Sequence, residues 1–294
     1  MKSWTGTLQV LAAGTCFGFL GIFAKLAFLM GLSVGELLCF RFFIAALVLG
    51  LFLFVFHRDW LLIGRKQVFI SLLLGVFGYA VFSTLYFESI RGITVGLAAL
   101  LLYSFPLFVN LGAWLFLKEP LRGKQLFSVV MASIGLVLLV WGDWQIQRMS
   151  AVLFGLGSGL AYAGYVLVSG QVQKNVRPLS SSFYVIVGAF VTLTLFHRPE
   201  FAQLMTFSYR KLGLIVGLAL VGTIAPLTLF LAGLQKMPSS QASILVMIEP
   251  VVATVAGAML FEESMTPLQG LGGFLIILSM LFQTHDPGTS ESLA

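Results

Sequence analysis

Ten runs of predominantly apolar residues, each about twenty long, alternate with short polar breaks along the chain. They fall at 7–29, 36–56, 68–88, 94–117, 124–141, 151–171, 180–197, 212–233, 241–261 and 267–284. A helix needs about 20 apolar residues to cross the hydrocarbon of a bilayer. Only helices and closed barrels satisfy their own backbone there. Barrel strands would alternate polar and apolar positions, and these runs do not. The pattern predicts an all-α integral membrane protein with ten transmembrane helices.

The polar breaks carry a second pattern. Pro106 recurs as Pro250, Glu119 as Glu263 and Gln125 as Gln269, all at one constant offset. Each copy is an apolar helix with a mid-depth proline, an acidic turn, then another apolar helix. A match at a fixed offset marks a repeat. We expect a first five-helix repeat over 7–141, a second over 151–284 and a disordered polar tail over 285–294. Five is odd, so the second copy must enter the membrane inverted. The turns agree. The one after the fourth run holds Lys118, Arg122 and Lys124, whereas its mate, Phe261 to Pro267, holds Glu262 and Glu263 and no basic residue. Inverted repeats are a common way for transporters to build two gates around one midplane site.

Composition agrees with lipid as the main solvent. The chain has 294 residues, 59% hydrophobic and 10% charged, with mean hydropathy +1.02. A soluble domain has about 25% charged residues. The net charge of +6 comes from Lys and Arg set singly or in pairs between the runs, which argues for membrane orientation and against nucleic acid. With both termini in the cytoplasm, the inner segments hold Lys2, Arg58, Arg65, Lys66, Lys118, Arg122, Lys124, Lys174, Arg177 and Lys236. The outer ones hold Arg91, Arg148, Arg198, Arg210 and Lys211. Positive loops stay inside. Cys16 and Cys39 lie within apolar runs, where thiols behave as small hydrophobes. Lys2 precedes the first run without a cleavage site after it, so that run is expected to be retained as a span. The segment from His197 to Arg210 is expected to hold a short interfacial helix, with Phe201, Phe207 and Tyr209 at headgroup level.

The chain resembles the EamA-like family of the drug/metabolite transporter superfamily. The likeness rests on Gly14 to Lys25 (GTCFGFLGIFAK), Arg41 within CFRFFIAAL, Leu102 to Pro106 (LYSFP), Glu119, Glu249 to Val252 (EPVV) and Glu263, and it spans both halves. It implies a 5+5 inverted-repeat carrier with a central cavity, moving amino acids, other metabolites or cofactors in either direction. The superfamily's small four-helix exporters exchange protons on a glutamate in the first helix. The first run here has no acid, so that mechanism does not carry over.

Polar residues inside the runs are the candidate machinery, because they are costly against lipid and turn toward protein or a cavity. In the sixth run Ser158, Tyr162, Tyr165 and Ser169 share one helical face. Their repeat mates Gly14, Gly18, Gly21 and Lys25 share another, offering backbone and one cation to a ligand with a flat part and an anionic part. Close helix packing is the competing explanation for small residues. Tyr79, Ser83 and Tyr86 form a stripe in the third run, and Tyr103, Pro106 and Asn110 one in the fourth. Glu249 is the strongest single candidate for an amino group or a proton. Its alternative is to cap backbone loosened by Pro250. Pro106 and Pro250 are candidate flexing points. Glu88 is expected to pair with Arg91. Arg41 and Lys25 are read as residues near the outer interface with snorkelling stems. Glu119 and Glu263 are read as gate or fold-stabilising residues at opposite faces.

His57, His197 and His285 have neither metal spacing nor a nucleophile beside them. No glycine loop with lysine suggests ATP. We therefore expect no enzyme, metal or cofactor. The leading expectation is a secondary carrier in the bacterial inner membrane, exporting an amino acid or related metabolite by alternating access. The alternatives are an importer of a larger metabolite, such as a nucleoside-derived cofactor or vitamin, and an interaction subunit without flux. Proton coupling and homodimerisation are both compatible with the sequence.

Overall fold

The computed structural model describes residues 2–119, 123–142, 144–172, 174–261 and 265–284. Among them the regular structure is helical, and the only pairing of extended backbone is one isolated bridge, Ile93 with Ile146. Eight helices are long and apolar enough to cross a membrane: α1 (Trp4–Leu29), α2 (Val34–Phe56), α3 (Arg65–Ile90), α4 (Val95–Leu117), α6 (Met149–Val172), α7 (Pro178–His197), α8 (Tyr209–Leu234) and α9 (Ser239–Leu260). Two shorter apolar helices, α5 (Gly123–Leu139) and α10 (Pro267–Phe282), accompany them. Their ends lie within three residues of the apolar runs in the sequence. Glu263, the acidic turn around it and the tail from 285 lie outside the described residues.

Local chemistry sets the helix starts. Ser33 caps α2: its hydroxyl accepts from the Glu36 amide at 3.3 Å, and Glu36 Oε2 accepts from the Ser33 amide at 2.8 Å. Thr266 and Gln269 repeat this reciprocal arrangement at the start of α10. Such pairs satisfy amides that have no partner within the helix. Pro178 opens α7, where its missing donor costs nothing.

Five of these helices are interrupted along their length, α1 by a single turn residue at Phe19. A π turn runs from Leu74 to Ala80 in α3 and another from Leu220 to Ile224 in α8. α4 breaks at Tyr103–Ser104 and α9 at Val246–Met247. Pro106 and Pro250 each follow such a break by two or three residues. They sit in the first turn of the next helical segment, where a proline is tolerated. The break therefore precedes the proline rather than falling on it.

Helix packing pairs distant parts of the chain. α1 lies on α8 and α9, α6 on α3 and α4, α2 on α7 and α8, and α5 on α10. The contacts are close where glycine meets backbone. A Cβ on Gly135 of α5 would sit 2.7 Å from the Gly272 carbonyl oxygen of α10. Outward faces carry large apolar side chains such as Phe54, Phe69, Phe116 and Leu153, as a lipid-facing surface requires. Phe201 and Phe207, expected among headgroups, instead fold over α2. Phe201 meets Phe40 and Phe43 with ring centroids 5.8 and 5.1 Å apart, and Phe207 meets Phe40 at 5.6 Å. The short 3-10 helix Phe201–Thr206 delivers them there, while Tyr209 stays exposed.

Candidate functional site

Several of the candidate side chains lie at a similar, middle depth. Glu249 lies ten residues into α9, Tyr103 eight into α4 and Arg41 seven into α2, roughly 10–15 Å along each helix. Tyr79 falls inside the π turn of α3, and Tyr162 and Tyr165 near the middle of α6. Helices from both halves of the chain therefore meet at one level.

Arg41 is the first correction to the sequence reading. It does not snorkel to the interface, since it is only 5% exposed. The capped start of α2 at Val34 leaves it two turns inside. Its guanidinium lies over the Phe42 ring, 4.6 Å from the centroid, and beside the Tyr79 hydroxyl. Its Nε has no hydrogen-bond partner. Across the site, the Tyr103 hydroxyl faces the Glu249 carboxylate, and the charges of Arg41 and Glu249 attract each other. Glu249 is half-buried.

Aromatic rings wall the space between. Tyr79 packs edge-on against Phe42, Phe82 and Tyr165 at 5.5, 4.9 and 5.7 Å. Tyr162 meets Phe82 at 4.8 Å, Phe105 at 4.7 Å and Tyr165 at 6.0 Å. Tyr86 also lies within range of the Glu249 charge. The sequence reading selected the tyrosines but missed Phe42, Phe82 and Phe105. A phenylalanine in an apolar run gives no signal of which way it points. Phe82, three after Tyr79, shares a helical face with it; the spacing of Phe105 to Tyr103 across the break carries no such signal.

The other candidates divide. Ser83 is buried on the same stripe as Tyr79. Ser158 is fully buried, but its hydroxyl donates to the Gly155 carbonyl oxygen of its own helix at 2.6 Å. Asn110 donates to the Pro106 carbonyl oxygen at 2.7 Å, and its own Oδ1 has no partner. Gly14 and Gly18 serve helix packing: a Cβ on Gly14 would come 2.5 Å from Ile248 Cγ2, and one on Gly18 2.9 Å from the Glu249 carbonyl oxygen. Gly21 faces open space and Lys25 is exposed, away from the aromatic wall.

The two ends of the bundle differ. At the end holding Trp4, bonds join early helices to late ones. Lys236 Nζ donates to Gln9 Oε1 at 2.9 Å, Ser240 Oγ to Glu119 Oε2 at 3.0 Å, and Arg177 pairs with Asp59 at 2.9 Å. At the other end a cavity of about 580 Å³ opens between α2, α3 and the segment after α7. Glu88 and Arg91, paired at 3.1 Å, line it together with Glu36 and Glu200. Leu38 and Phe87 lie at its wall, Leu38 one helical turn from Arg41 and Phe87 next to Tyr86.

The comparisons with known proteins point to one family. The model of the EamA-like transporter family matches twice, over residues 4–141 and 149–284. Uncharacterized transporter YcbK of Bacillus subtilis is 26% identical over 97% of this chain and 96% of its own. Uncharacterized transporter YwfM of the same organism is 30% identical over 71% of each chain. The threonine/homoserine exporter RhtA of Escherichia coli is 27% identical over 80% of this chain and 78% of its own. One crystal structure, 16% identical, superposes with a TM-score of 0.78 over 94% of this chain and 95% of that one, a likeness of fold. The chain is thus an integral membrane protein of the EamA-like family, within the drug/metabolite transporter superfamily, whose members act in lipid on small molecules.

Proposed function

We propose that this protein is a secondary carrier that exports an amino acid or a related metabolite across the bacterial inner membrane by alternating access. The observation that carries the reading is the mid-depth site, where opposite charges and an aromatic wall come from helices of both halves. The exporter RhtA among its relatives points to the amino-acid class and to the outward direction.

The gates follow from a ten-span, 5+5 inverted reading of the fold. Exchanging the halves maps the α1–α8 contact onto α6–α3 and leaves α2–α7, α4–α9 and α5–α10 in place. The π turns of α3 and α8 correspond, as do the breaks in α4 and α9. The double match of the family model supports the same division. With both termini in the cytoplasm, the bonded end is the inner gate and the cavity is the outer vestibule. The structure is then an outward-facing form. Opening inward breaks the contacts of Glu119, Asp59 and Gln9 with their partners. Glu249 is the acid available for proton coupling, and α5 with α10 is the surface available for a homodimer. None of these roles needs a cofactor or a catalytic set.

The test is counterflow of labelled amino acids into liposomes holding the purified protein. Glu249→Gln and Tyr162→Ala, both expected to fold, should abolish counterflow. Full activity in both variants overturns the site; no counterflow of any amino acid by the unmodified protein overturns the amino-acid reading.

A further inference from the structure

The proposed transport function leaves open which part of a substrate the site holds. We propose that Arg41 and the Glu249–Tyr103 pair form a two-point clamp for a zwitterion. A carboxylate would sit on the guanidinium and an ammonium group on Glu249, with an apolar side chain against Phe82, Phe105 and Tyr162. This rests on the carrier reading and narrows it to molecules with both charges on one small head.

Three observations carry the inference. First, Arg41 is buried with Nε unpartnered. A cation in a membrane interior pairs with an anion or backbone as a rule, and one left incomplete points to a partner that comes and goes. The Phe42 ring covers one face of the guanidinium. Its remaining edge is the planar fork that suits a carboxylate. Second, Glu249 and Arg41 sense each other only through charge: the carboxylate faces Tyr103 and the guanidinium neighbours Tyr79. Among the described residues no direct ion pair joins the two, so neither charge is taken up by the other. Third, the wall beside them is aromatic and apolar. A site that desolvates two opposite charges favours a ligand bringing both counter-charges and rejects one that leaves a charge unpaired.

The test uses purified protein in detergent and two series of probes. One is L-phenylalanine, phenethylamine and 3-phenylpropionate. The other is L-leucine, isopentylamine and 4-methylpentanoate. A ligand that binds the folded state raises the unfolding temperature with dose. The clamp predicts a rise with an amino acid and at least about tenfold weaker binding for its amine and its acid, each of which leaves one of the two charges unmatched. In Glu249→Gln the acid should close that gap; in Arg41→Gln the amine should. The unmodified protein answers alone if either variant fails to fold. Equal binding of the amine removes the carboxylate role of Arg41, and equal binding of the acid removes the ammonium role of Glu249. If no amino acid binds or moves while liposomes carry another solute, the clamp is wrong and the carrier reading stands. If liposomes carry nothing, the carrier reading fails and the clamp with it.

Discussion

Gly270 and Gly272 lie two residues apart on α10, and alanine should have opposite effects at the two. A Cβ on Gly272 would meet the Gly135 carbonyl oxygen closer than any real contact, with Leu139 N at 2.5 Å and Leu138 C at 3.0 Å. These are backbone atoms and cannot rotate away, so α5 and α10 must part. Overpacking of this kind costs about 1–3 kcal/mol. Against it stands the gain of about 1 kcal/mol when alanine replaces glycine in a helix. The net expectation for Gly272→Ala is a loss of up to about 2 kcal/mol. At Gly270 a Cβ meets nothing within 4 Å, so Gly270→Ala keeps only the helix term and gains up to about 1 kcal/mol. The assay is the fraction of monodisperse protein surviving a heating series in one detergent, read by size-exclusion chromatography. Each kcal/mol corresponds to a few degrees for a chain of this size, about 2–4 °C. If both variants shift alike, or Gly272→Ala is the more stable, the α5–α10 crossing is not as close as described.

Lys118 ends α4 with φ of 56°, a left-handed conformation that costs a residue with a Cβ about 1–2 kcal/mol. Lys118→Gly should raise thermal stability by about 1 kcal/mol after the lost charge at the helix C-terminus is counted, and a lower midpoint would refute it. Asp59→Asn should move stability by less than about 1 kcal/mol, because both partners of the Asp59–Arg177 pair are more than half exposed. Glu119→Gln keeps an acceptor for Ser240 but removes the charge. It should accelerate cysteine labelling at an introduced Ser239→Cys if the bond holds the Trp4 end of the bundle shut, and unchanged labelling would place the seal elsewhere.

Much of this fold was legible because lipid imposes one rule on every span: twenty apolar residues, then a break. The helix ends followed from that rule to within a few residues. The charged and polar members of the site were also legible, since Glu249 and Tyr162 inside apolar runs demand an explanation. Depth was harder to read. Counting from Glu36 places Arg41 at the interface, although Ser33-x-x-Glu36 is a capping-box pattern that starts the helix earlier and sets the arginine deeper. The glycine stripe of α1 suggested a cavity wall, but Gly14 and Gly18 pack on α9, since a missing side chain serves a helix and a ligand equally well. The π turn that carries Tyr79 has no counterpart in residue spacing at all.

The buried Arg41 also bears on how the chain enters the membrane. The acid whose charge it senses, Glu249, lies about 200 residues further along. At a synthesis rate of about 5–20 residues per second, roughly 10–40 seconds separate the two. During that interval α2 holds its cation without the partner. Sixteen of its 23 residues are Leu, Ile, Phe or Val, and α2 is the most apolar of the eight spans. At about 0.3–0.6 kcal/mol each for insertion, they outweigh the roughly 3 kcal/mol that a central arginine opposes. The phenylalanines and leucines that crowd α2 thus serve biogenesis as well as packing: they let one helix insert before the rest of its site exists.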